Sequence, residues 1–145
     1  MSISAAFPIA HQRKSAHAIT AERVGGFEPS ELAAAYDALR TAQQVLCGLS
    51  CQPRFHREGG RHNGAGELIA ELMDHLVVSL EIVTDTARAA KVSKPCDVEN
   101  RAWLLLSHEA AMGDRLSDIA ALAAKFAAES ASADAMAGYA TSVAA

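Results

Sequence analysis

The chain has 145 residues, half of them apolar, with 5% aromatics and a formal net charge of -4. That length holds one domain able to bury a core of its own without metal or disulfide staples. The mild acidity excludes a broad basic surface for nucleic acid, and abundant alanine without β-branched runs points to an all-α fold, a three- or four-helix antiparallel bundle.

Residues 1–27 mix Ser, His, Arg and Gly without a sustained period and read as a flexible N-terminal arm. The bundle is expected over 28–129. "FEPSEL" starts its first helix, with Pro29 at the first helical position, Glu31 in the first turn and Phe27 placed to staple onto Leu32. Leu32, Tyr36, Leu39, Leu46 and Leu49 follow on one face until Pro53 closes the helix near Cys51.

Asn63 is a strong cap, and a second helix follows it. Its apolar stripe holds Ile69, Leu72, Leu76, Val83 and Ala90, widened by Met73, Val77 and Leu80, so it should touch two neighbours and sit centrally. Its outer face carries Glu67, Glu71, Asp74, Glu81 and Asp85, with Arg88 and Lys91 at its end, an order that suits the helix dipole. A third helix opens at Pro95, and its stretch from Ala102 to Leu106 is apolar all round and should be deepest, with Trp103 as an anchor. Gly113 is a left-handed stop and Asp114 the next cap. The fourth helix buries Leu116, Ile119, Leu122 and Phe126. A single helix bent at Gly113 is the alternative. Residues 130–145 are small and weakly periodic, a flexible C-terminal tail or a helix that forms only against a partner.

The stretch "PRFHREGGRHNGAGE" between the first two helices has the richest chemistry. Cys47, Cys51, His56 and His62 read Cys-x3-Cys-x4-His-x5-His, ligand types and spacings that tetrahedral zinc accepts. The competing reading keeps both thiols buried in the helix beside a solvated loop, free cysteine being a small and usually buried residue. Arg57, Arg61 and His62 near the start of the second helix suggest an anion site, since backbone N–H groups and the positive helix end both favour negative charge there. No Lys-Ser or Lys-Thr follows the glycines and no strand precedes them, so a nucleotide fingerprint is missing. The simplest role for this segment is a helix-to-helix reversal with a basic surface.

Other chemistries find little support. A di-iron bundle needs two inward Glu-x-x-His pairs, and the chain has none. "LSHEAAMGDRLSDIAALAA" has the outline of a helix-turn-helix, but its second helix offers Ser117, Asp118, Ala121 and Ala124 where base-reading Arg or Asn would stand. Three cysteines, Cys47, Cys51 and Cys96, form no disulfide framework and fit a reducing cytoplasm. No apolar run is long enough to span a membrane, and neither export nor anchoring is expected. The chain therefore reads as a non-catalytic helical protein that binds itself, as a homodimer, or another protein through an alanine-rich or acidic helical face. Two other readings remain: a small metal- or anion-binding regulator using the Cys51–His62 loop, with zinc as the candidate metal, or an acidic inhibitor or accessory protein of a nucleic-acid-handling enzyme, with Glu67, Glu71, Asp74, Glu81 and Asp85 as its partner-binding face.

Overall fold

A computed structural model of the chain describes residues 18–113 and 115–143, with side chains up to 136. The fold is all-α. Its helices are α1 (Ala21–Val24), α2 (Pro29–Ser50), α3 (Gly64–Ala89), α4 (Pro95–Met112) and α5 (Leu116–Val143), with a 3₁₀ turn at Pro53–Phe55. None of the described helices is long and apolar enough to cross a membrane.

The helix ends follow local chemistry. Glu31 accepts a hydrogen bond from the Glu28 backbone N–H at 2.9 Å, so the start of α2 is capped from within its own first turn. Asn63 accepts from the N–H groups of Ala65 and Gly66 and opens α3. Gly113 closes α4 with φ of 80°, a conformation that costs a residue with a β-carbon but not glycine. The chain therefore breaks into two helices at Gly113. The expected cap at Asp114 lies outside the described residues.

Helices α2, α3 and α4 pack on one another, and α5 packs on α4. Arg101 of α4 meets Ala90 at the end of α3, whereas His108, two turns later, lies near Thr84, so α4 runs back along α3. The core gathers Leu32 and Tyr36 from α2, Leu80, Val83 and Ala87 from α3, Leu104 and Leu105 from α4, and Phe126 from α5. Tyr36 meets His108 edge-to-face at 6.0 Å, and burial pushes its phenol pKa up. Ion pairs fasten the outside: Arg88 reaches Asp85 and Glu109, while Arg101 pairs with Glu129 and donates to the Ala90 carbonyl.

Several expected positions differ. Trp103 is 51% exposed because α4 has one buried side, formed by Leu104, Leu105 and Val98, and Trp103 faces away from it. Leu116 is 84% exposed, as the first residue of α5 beyond the Gly113 turn, where none of the described helices covers it. Residues 1–17 of the expected arm lie outside the described residues; within its remainder, Val24 is buried in the core and Ile19 packs against it. Helix α5 continues to Val143, past the expected end at Glu129.

Replacing Leu104, which is fully buried, by alanine should cost about 2–5 kcal/mol of unfolding free energy in a urea titration. Leu116→Ala, at an exposed site, should change it by no more than about 0.5 kcal/mol.

Candidate functional site

The α2–α3 connection is a compact reversal built from local hydrogen bonds. After the 3₁₀ turn, His56 and His62 pair as an isolated antiparallel bridge, and Arg57 N–H donates to the Arg61 carbonyl at 2.8 Å. Asn63 ties the base of this loop down: its backbone N–H donates to the Phe55 carbonyl, and its side-chain Nδ2 donates to the Arg54 carbonyl at 2.7 Å. Gly66 lets the loop sit directly on α3. A β-carbon there would stand 2.4 Å from the Phe55 carbonyl oxygen and 2.8 Å from His62 Nδ1, closer than real atoms approach.

The metal-ligand candidates separate in this geometry. His56 and His62 stack with ring centroids 4.9 Å apart, but Cys47 and Cys51 are exposed rather than buried in the helix face. No group of three or more His, Cys, Asp or Glu side chains among the described residues is placed to hold a metal ion. His56 is already engaged: Nε2 lies 2.7 Å from the Ser50 carbonyl oxygen and Nδ1 lies 3.3 Å from that of Gly60. A neutral imidazole carries one N–H, and the short Nε2 contact calls for it, so Nδ1 is the nitrogen left with a lone pair. The imidazole thus acts as a tie across the loop.

The anion candidates do converge. Arg57, Arg61 and His62 line a shallow depression of about 350 Å³, together with Gly60 and Glu67. Asn63 occupies the N–H groups of Ala65 and Gly66 that an anion would use, and Glu67 adds a competing negative charge. The acidic candidates Glu67, Glu71, Asp74, Glu81 and Asp85 are all exposed along the outer side of α3.

A different surface stands out: a groove of about 830 Å³ between the second half of α2 and the first half of α3. Leu39, Ala42, Val45 and Leu46 form one wall; Leu72, His75, Leu76, Val78 and Ser79 form the other. Val45 is 57% exposed, Val78 53% and Leu72 45%, and the three are gathered along one groove. Contiguous exposed apolar side chains of this kind mark interaction sites on soluble proteins. Leu72, assigned to a buried stripe by its spacing, is thus a surface residue. Leu72 and Ser79 lie roughly 120° to 140° around α3 from Thr84, the residue facing α4, so the groove opens on the side of the hairpin that α4 leaves free. Ala18 and Ile19 close one end of it.

A second cleft, of about 810 Å³, lies where the α3–α4 turn meets α5, lined by Arg88, Lys91, Arg101, Lys125, Glu129 and Met136. Its charges already serve one another, since Glu129 pairs with Arg101 and lies 4.0 Å from Lys125, and Arg88 is held by Asp85 and Glu109. It is an ion-pair seam between helices.

Gly66→Ala should unseat the loop and lower stability by about 1–3 kcal/mol, whereas Gly64→Ala, with open space around its β-carbon position, should be neutral or slightly stabilising in the same thermal melts. His56→Ala should lower the melting temperature by the same amount with and without a chelator; a loss confined to metal-replete buffer would instead make the loop a metal site.

No family model, no curated protein and no solved structure matches the chain. Its function is therefore read from its own residues.

Proposed function

We propose that this chain is a non-catalytic protein-binding module that works through the apolar groove between α2 and α3. The supporting observation is the gathering of half-exposed Val45, Leu72 and Val78 into one open groove. Water around such side chains is released when another apolar surface covers them, at about 25 cal/mol for each Å² removed from solvent. Backbone and side chains at the mouth are held by regular helix, so the surface is formed in advance and little ordering accompanies docking. The three exposed free thiols support a reducing, cytoplasmic setting.

The occupant on this reading is an apolar segment of another protein or of a second copy. A photo-crosslinking side chain in place of Val45 should trap a protein adduct in cells of the native host, and the same group in place of Glu99, exposed on α4, should not. Absence of an adduct at Val45, or equal yields at both positions, would remove the groove from consideration.

A further inference from the structure

We infer that the groove's partner is an amphipathic helix from another protein with basic residues along one flank. This rests on the groove reading above and adds the chemistry of the occupant. Two features of the groove carry it, its shape and the asymmetry of its charge.

The shape follows from what already fills its neighbourhood. The chain from Ile19 to Val24 packs on α3, placing Val24 in the core and Ile19 against it, and Ala18 and Ile19 also line the groove. Beyond these residues Leu39 to Leu46 and Leu72 to Ser79 each continue for two helical turns, about 11 Å, with none of the described residues over them. Two packed helices form a trough that a third helix fills, its apolar residues three and four apart seating between Val45, Leu72 and Leu76.

The charge is one-sided. From Thr41 to Pro53 the α2 wall has no charged residue at all. Arg40, just before it, is turned to Gln43, which accepts from its Nη1. The α3 wall is acidic at its edge: Glu71 is one turn before His75 and two before Val78, both of which line the groove, and Asp74 is one turn before Val78, while Glu67, a turn before Glu71, shares its depression with Arg57, Arg61 and His62. All three carboxylates are exposed. A helix seated in the trough therefore has a neutral wall on one side and a row of carboxylates on the other. Lysine or arginine along that second flank would be attracted, and glutamate or aspartate repelled, which fixes the orientation of the partner as well as its sign.

The test uses the full chain and two fluorescein-labelled synthetic helices of about fourteen residues, with the same leucine face but Lys and Arg or Glu on the flanks, read by fluorescence anisotropy. The basic helix should bind at 1:1 and about tenfold tighter than the acidic one in low salt, and the gap should close in about 0.5 M salt. Glu71→Gln with Asp74→Asn should weaken the basic helix several-fold and leave the acidic one unchanged, while Val45→Ser with Leu72→Ser, at exposed positions, should weaken both about tenfold. Equal binding of the two helices in low salt would overturn the inference and leave the groove reading standing. Failure of both to bind, with adducts at Val45 containing only a second copy of the chain, would overturn it in favour of self-association. Failure of both without any adduct at Val45 would overturn the inference and the groove reading together.

Discussion

The burial of Leu32, Val83 and Leu104, one from each of α2, α3 and α4, is the contact on which the remaining structure depends. Each is almost wholly removed from water, and together they fix how far along one another the three helices sit. Helix α4 has 18 residues against 26 in α3, so once its Leu104 is seated against the Leu80–Ala87 part of α3, it cannot also cover the half nearer the loop. The apolar groove is a direct consequence. A face patterned for burial is left open because α4 packs on the other side of the hairpin.

Polar contacts then lock the arrangement the core sets. Arg101 bridges three elements at once, donating to the Ala90 carbonyl, pairing with Glu129 and lying 5.6 Å from the centre of the Phe126 ring. Its Nε is buried without a hydrogen-bond partner, the one such side-chain atom among the described residues. That cost is tolerated because the same guanidinium holds α5 to α4 and α4 to the end of α3. At the opposite end, Asn63 and His56 do comparable work by tying loop carbonyls, which leaves a stiff hairpin projecting beyond the core. The carboxylates of α3 lie along its rim because every inward position on that helix is needed for packing, so the only place for charge is the outer side.

Much of this was written locally in the sequence. Helix starts at Pro29, Asn63 and Pro95 and the stop at Gly113 follow from caps and forbidden backbone angles that involve only a few neighbouring residues. The apolar period of α2 and α3 named the residues that would leave water if a partner surface were present, and the spacing of acidic residues named the solvated face. Even the reversal at 53–63 was legible from its turn residues.

Tertiary structure alone decided which apolar residues obtain that partner surface. Val83 and Leu72 have the same character in the α3 pattern, yet one is fully buried and the other half exposed, because the first joins the core cluster with residues of α2 and α4 and the second lines the open groove. Leu116 differs from expectation for the same reason, since periodicity records which way a side chain points around its own axis and not how far a neighbouring helix extends, whereas Trp103 faces away from the buried side of α4. The Cys47, Cys51, His56 and His62 spacing likewise permits a metal, but the direction of the His56 nitrogens toward two carbonyls is set by a loop closing through space. Local rules act over one or two turns; the extent of packing depends on contacts between residues tens of positions apart, and those contacts create both the core and the open groove.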